Sequence, residues 1–213
     1  MLLDLDGTLT DPYDGISRSI RYAMETVGKP LPSPLDLRWC IGPPMRASFL
    51  ELCDGERELV EPAVEAYRRR FAAIGIYENR VYPGVTAMLG RLAATLLLVV
   101  CTSKPTIYAQ RILEHFALRE FFAAVYGSEL DGTRADKCEL IRFVLEREPF
   151  AATRLAMLGD REHDMIGALG NGVAAFGALW GYGSPDELTR AQAVRLFRDP
   201  VEVTVQALTL SSR

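Results

Sequence analysis

The sequence lacks several features that would point to whole classes of function. It has no basic excess: Lys plus Arg number 24 against 28 for Asp plus Glu, a net charge of −4, with a pI near 5.3. Nucleic acid and anionic membrane surfaces are excluded as general partners, because either needs a positive face. The four cysteines, Cys40, Cys53, Cys101 and Cys138, form no CxxC pair, so neither a zinc site nor a dithiol centre is readable. Cys101 ends an apolar run and is expected to be a buried small hydrophobe. The longest apolar stretch, residues 92–101 with Thr95 inside it, falls well short of the ~20 residues a membrane-spanning helix needs. With no internal repeat, low-complexity tract or leader-like segment to read, a soluble protein in a reduced, cytoplasmic setting is expected.

What is present is a chain of 213 residues, 49% hydrophobic and 24% charged, ordinary for one globular domain with a modest second module. Apolar runs of strand length occur at residues 2–5, 96–101, 123–126, 155–158 and 173–176. Between and around them, residues 83–92, 105–116 and 135–145 carry apolar positions at three- and four-residue spacing, the pattern of helices. Alternating strand and helix argues for a parallel sheet covered on both faces. Residues 14–80 break the rhythm, offering helical segments at 16–27, 45–52 and 56–73 but no convincing strand. The expected division is therefore an α/β core from residues 1–13 and 81–213, with a helical module from 14–80 inserted after the first strand.

The sharpest chemical signal is Asp4-Leu5-Asp6-Gly7-Thr8 at the end of the first run. If the strand continues, Asp4 and Asp6 share a face, and two converging carboxylates call for a cation or a shared proton. Gly7 allows a sharp turn that presents amides to an anion. Alone, this pair reads equally well as a solvated acidic turn. A second acidic set, Gly159-Asp160-Arg161-Glu162-His163-Asp164, follows the run at 155–158. Its carboxylates, together with the first pair, are the hard oxygen ligands that Mg²⁺ prefers. The stretch Thr102-Ser103-Lys104-Pro105 reads as a helix start whose free amides attract phosphate or are simply capped by a hydroxyl. Lys137 opens a further helix, where a cation opposes the macrodipole unless an anion lies nearby.

These four segments in this order resemble the haloacid dehalogenase superfamily: DLDGT at 4–8, Thr102 within CTSKP, Lys137, and GDREHD at 159–164. The resemblance covers essentially the whole chain. It implies a Rossmann-like, doubly wound parallel sheet with an inserted helical cap at 14–80. It also implies that Asp4 is the nucleophile forming an aspartyl-phosphate and that Asp6 is the general acid and base. Mg²⁺ would be held by Asp4, Asp160 and the Asp6 carbonyl, with Asp164 completing or supporting the shell. Thr102 and Lys137 would bind phosphate oxygens, with Gly7, Ser103 and Lys104 as further substrate-binding candidates. Asp6 favours phosphoryl chemistry, since dehalogenases and phosphonate-cleaving members of the superfamily lack an aspartate there.

On that reading, Asp4, Asp6, Asp160 and Asp164 with a phosphate dianion carry six negative charges, against three positive from Mg²⁺ and Lys137. One carboxylate should therefore hold a proton, and the acid role assigns it to Asp6. The segments IGPP, YENRVYPG, GSELDGTRADK and WGYGS resemble a bacterial subgroup of phosphoglycolate phosphatase-like and 5′-nucleotidase-like phosphatases. A small acidic leaving group should need a cation such as Arg46, and a nucleoside should need a ring such as Tyr22 or Trp39. The expected function is a Mg²⁺-dependent phosphatase acting on a small phosphorylated metabolite, as a monomer or homodimer. A phosphosugar mutase and a non-catalytic binding protein on the same scaffold are the alternatives.

Overall fold

Short runs of Val, Leu, Ile and Ala that are apolar on both sides suit strands buried within a parallel sheet, and the amphipathic segments between them suit covering helices. The computed structural model of the protein, which describes residues 1–208, follows that pattern. In chain order the elements begin with β1 (Leu2–Leu3), β2 (Thr10–Asp11), α1 (Tyr13–Thr26), α2 (Met45–Leu52), α3 (Arg57–Ala73), β3 (Arg80–Val81) and α4 (Val85–Ala93). Then come β4 (Val99–Pro105), α5 (Thr106–His115), β5 (Ala124–Ser128), α6 (Lys137–Arg147) and β6 (Ala156–Gly159). Last are α7 (Glu162–Leu169), β7 (Ala174–Ala178), α8 (Pro185–Arg190), β8 (Arg195–Phe197) and α9 (Val205–Leu208).

The chain forms two units, one of residues 1–11 with the chain from Val81 onward, the other Pro12–Arg80. The first holds a six-stranded parallel sheet in the order β5-β4-β1-β6-β7-β8. Strand β1 is central: Leu2 and Leu3 pair with Val99 and Val100 on one side and with Met157 and Leu158 on the other. The C-terminal ends of β4, β1 and β6 therefore lie side by side, at the point where strand order reverses and open α/β sheets bind their ligands.

One face of this sheet is closed by a cluster of Leu2, Val99, Cys101, Met157 and Ala175 with Leu140, Ile141, Val144 and Met165. Cys101 is fully buried within it, and burial pushes its thiol up to about 12. That is the small-hydrophobe role expected of it. Among the described residues, no helix is long and apolar enough to cross a membrane.

In the helical unit, α1 buries Ile16, Ile20, Ala23 and Met24 and α3 buries Val60, Ala63, Val64, Tyr67 and Phe71. The Tyr67 ring stacks on Phe71 and meets Phe49 edge-on. A polar brace completes it: Arg70 donates to Glu78 at 2.8 and 3.2 Å and to the Ser19 hydroxyl at 3.0 Å, and Arg18 donates to Glu78 at 2.8 Å. Arg70 and Arg18 together hold the Glu78 carboxyl below its ordinary range.

Two differences from the sequence reading matter. The first strand ends at Leu3 rather than running through residue 5. Strand β8 has only three residues, led by the exposed Arg195. A run that short, at the edge of the sheet, carries too few apolar positions to stand out.

Candidate active site

The site begins where β1 stops. The Asp4 amide donates to the Leu158 carbonyl at 3.0 Å, extending the parallel pairing by one residue. Beyond it the chain folds back, with the amides of Thr8, Leu9 and Thr10 donating to the carbonyl of Leu5. Asp4 and Asp6 are thus set by a tight loop and not by the two-residue alternation of a strand, which corrects the sequence argument for their shared face. Gly7 is the pivot of that loop. Its φ of +82° lies in the left-handed region, and a Cβ there would collide with the Asp160 carboxylate. A side chain at position 7 would both strain the backbone and push the loop off Asp160.

Three buried carboxylates converge on this loop. Asp4, Asp160 and Asp164 each offer an oxygen, and these oxygens lie within 4.8 Å of one another. Asp160 leaves the end of β6, accepting from the Thr8 hydroxyl at 3.2 Å and from the Tyr182 amide at 2.9 Å. Asp164 sits in the first turn of α7, where its Oδ2 accepts from the Arg161 amide at 3.1 Å. The helix begins at Glu162, so Asp160 belongs to the turn before it and Asp164 to its first turn. Asp164 combines the helix-start role with membership of the cluster.

Lys137 is the counter-charge. As the first residue of α6, N-capped by Asp136, it places its ammonium 3.0 Å from Asp4 Oδ1 and 2.7 Å from Asp164 Oδ1. It also donates to the Cys101 carbonyl at 3.0 Å. Burial works against its charge, but Asp164 and Asp4 outweigh burial and hold it above its ordinary value. Burial raises all three of the other acids. Asp160 goes well above the usual carboxylate range, with Asp164 and Asp4 adding repulsion. Asp164 rises to about 6 against the pull of Lys137. Asp6 is raised although Lys104 opposes the shift.

The cluster is short of positive charge, with three carboxylates set against the Lys137 ammonium. Asp4 Oδ1 and Asp164 Oδ1 are buried, and both face the Lys137 ammonium. Carboxylate oxygens in this number and spacing fit a hard divalent cation.

A carboxylate whose folded-state proton affinity is raised stabilises the fold at low pH and loses that contribution as pH climbs through its folded value. For Asp164 the window runs from its ordinary 3.8 up to about 6. The metal-free protein is therefore expected to melt several degrees lower at pH 7.5 than at pH 5, at ~2–4 °C per kcal/mol for a chain of this size. Adding Mg²⁺ at pH 7.5 should recover the difference. Calorimetry showing a flat profile that ignores Mg²⁺ would contradict this picture of the site.

The other candidates fall in two groups. Thr102, Ser103 and Lys104 lie within β4, and α5 starts only at Thr106 with no side-chain cap. The expected helix-start site is corrected accordingly: pairing between Pro105 and Ser128 keeps these residues in the sheet. Thr102 is buried one residue beyond the carbonyl that takes Lys137, and Lys104 Nζ lies 2.6 Å from Asp6 Oδ2. Arg46 belongs to the helical unit, where it grips Glu61 through Nε at 2.6 Å and Nη2 at 3.1 Å.

The sequence reading missed the Thr8 hydroxyl, the Tyr182 amide and the Trp180 indole, which donates to the Thr8 carbonyl at 2.9 Å. The aromatic and glycine alternation of residues 180–184 was the available signal for the last two.

Residues 1–178 match the haloacid dehalogenase-like hydrolases. A 5′-nucleotidase of Pseudomonas aeruginosa is 45% identical over 200 residues, covering 93% of this chain and 90% of that protein. Tyrosine-protein kinase PtkA of Mycobacterium tuberculosis is 36% identical over 187 residues, 87% of this chain but 64% of that protein. The crystal structure of a predicted phosphatase from Clostridium acetobutylicum superposes with a TM-score of 0.90 at 40% identity, covering 94% of each chain. With its four acidic and basic segments gathered at one sheet edge and this match over most of its length, the chain belongs to the haloacid dehalogenase-like hydrolases.

Proposed function

We propose that this phosphoric monoester hydrolase cleaves a small phosphomonoester, a nucleoside monophosphate in preference to a phosphoglycolate-like acid, through an aspartyl-phosphate on Asp4. The observation that carries the reading is the convergence of Asp4, Asp160 and Asp164, with oxygens within 4.8 Å of one another, and the Lys137 ammonium against two of them, Asp4 and Asp164. The residues that would hold Mg²⁺ are Asp4 and Asp160, with the Asp6 carbonyl and Asp164 in support; the ion would neutralise carboxylate charge and polarise a phosphoryl oxygen.

In the first step an Asp4 oxygen bonds to phosphorus while the bond from phosphorus to the leaving oxygen breaks. Asp6, raised towards its protonated form, gives that oxygen its proton. In the second step Asp6 takes a proton from water as the water oxygen bonds to phosphorus and the Asp4–phosphorus bond breaks. Lys137 holds Asp4 and balances phosphoryl charge, with Thr102 as a further donor; the amides of residues 7–10 are taken up within the loop, so Gly7 contributes its turn and not a donor. Unassisted phosphomonoester hydrolysis is slow enough that accelerations near ~10²¹ are known, so positioning and charge neutralisation supply most of the effect.

The preference for a nucleoside rests on the 45% identity, over 200 residues, to a 5′-nucleotidase. The Arg46 guanidinium is engaged by both oxygens of Glu61, which leaves it poorly suited to a small carboxylate. With its guanidinium taken up by Glu61, Arg46→Ala is expected to leave KM for nucleoside monophosphates essentially unchanged. Phosphate release measured over nucleoside monophosphates, phosphoglycolate and sugar phosphates tests this. A KM rise confined to phosphoglycolate in Arg46→Ala would return the small-acid reading. Transfer of the phosphoryl group to a second hydroxyl without phosphate release would favour a mutase or kinase reaction over hydrolysis.

A further inference from the structure

A lysine has no ordinary place in a strand next to the centre of a parallel sheet, because burying an unpaired ammonium is costly. Lys104 is nonetheless 9% exposed within β4, and the chain is shaped to put it there. The β4–β5 register advances one residue at a time from Val99↔Ala124 to Thr102↔Gly127, then jumps to Pro105↔Ser128. Ser103 and Lys104 are therefore extra residues on β4, a bulge of the kind that re-aims a side chain.

Neighbouring groups pin the bulge on both sides. The Ser128 hydroxyl donates to the Ser103 carbonyl at 2.8 Å, and the Lys104 amide donates to Thr102 Oγ1 at 3.3 Å. The Thr106 hydroxyl donates to the Ser128 carbonyl at 3.3 Å and accepts from the Gly127 amide at 3.1 Å. A Cβ on Gly127 would collide with the Lys104 carbonyl oxygen, so only glycine lets the bulge lie this close to β5.

The product of this construction is an ion pair with one end left open. Lys104 Nζ lies 2.6 Å from Asp6 Oδ2, while Asp6 Oδ1 is buried with no hydrogen-bond partner. A carboxyl group free to rotate presents either oxygen. One held at Oδ2 by an ammonium presents Oδ1 in a fixed direction.

We propose that Lys104 is a positioning residue that clamps Asp6 Oδ2 so that Oδ1 is the oxygen that exchanges a proton with the leaving group and then with water. The proposal rests on the phosphatase reading above. It gives Lys104 a role distinct from binding an anionic part of the substrate: the proton moves between Asp6 Oδ1 and the leaving oxygen as the phosphorus–oxygen bond breaks, and Lys104 itself gains and loses no proton.

The test compares an aryl phosphate, p-nitrophenyl phosphate, whose phenolate leaves without a proton, with an alkyl phosphate, a nucleoside monophosphate, whose alkoxide needs one. General acid catalysis typically contributes ~10²–10⁴-fold. Lys104→Met is expected to lower kcat for the alkyl substrate by ~10²-fold or more and for the aryl substrate far less, with KM for both little changed. Lys104→Arg should recover part of the loss. If Lys104→Met does not fold, Lys104→Gln carries the same expectations. Equal losses on the two substrates, or a KM rise confined to substrates with a second anionic group, would overturn the clamp. The phosphatase reading fails separately, if Asp4→Asn keeps its turnover of both substrates.

Discussion

Asp4→Asn is expected to lower turnover by at least ~10⁴-fold, since removing a covalent nucleophile from a concerted set of groups has cost ~10⁶-fold in a well-studied hydrolase. The substitution keeps size and shape, so the amide still fits beside Lys137. It replaces one of three buried carboxylates whose oxygens lie within 4.8 Å of one another and so relieves their repulsion. The metal-free variant should therefore melt no lower than wild type while losing its chemistry. Phosphate release and thermal unfolding on the same preparation check both halves. Activity within about tenfold of wild type would rule out a covalent intermediate on Asp4.

Lys137→Met is expected to have the largest effect on stability. Lys137 is 4% exposed and meets Asp4 at 3.0 Å and Asp164 at 2.7 Å. Taking away one partner of a buried ion pair leaves an uncompensated charge and typically costs ~3–5 kcal/mol. At ~2–4 °C per kcal/mol, the metal-free variant should melt ~6–20 °C below wild type. The loss should be smaller at pH 5 than at pH 7.5, because Asp164, raised to about 6, takes up a proton as the pH falls and no longer needs the lysine. Calorimetry at the two pH values measures both the drop and its direction. A variant that melts with wild type at pH 7.5 would mean that these carboxylates find their compensation elsewhere.

The strands buried within the parallel sheet were legible because each needs an unbroken apolar run, and residues 96–101, 155–158 and 173–176 are such runs. Helix α2, Met45–Leu52, was legible to the residue because Pro44 stops the preceding turn. Three-residue β8 was not, for want of length.

In the site, Asp4, Asp160, Asp164 and Lys137 announced themselves as charged groups where a strand ends or a helix begins, positions that make little physical sense unless the groups meet. The contacts that orient them were hidden for other reasons. The Tyr182 amide that holds Asp160 is a backbone donor, which no residue type advertises. Lys104 meets Asp6 only because a two-residue bulge turns it there, and a register shift cannot be read from one strand without its partner. The charge count made on the sequence omitted Lys104 for the same reason. Arg46 was read as open to a substrate because Glu61, on a different helix, is its partner only after folding.

The central claim is tested most directly by a crystal structure of the protein grown with Mg²⁺ and beryllium trifluoride, a stand-in for a phosphoryl group. The account predicts the beryllium bonded to a carboxylate oxygen of Asp4, one Mg²⁺ shared by Asp4 and Asp160, and Lys137 against the fluorides. An ion bound away from both carboxylates, or a fluoroberyllate attached to any other residue, would contradict it.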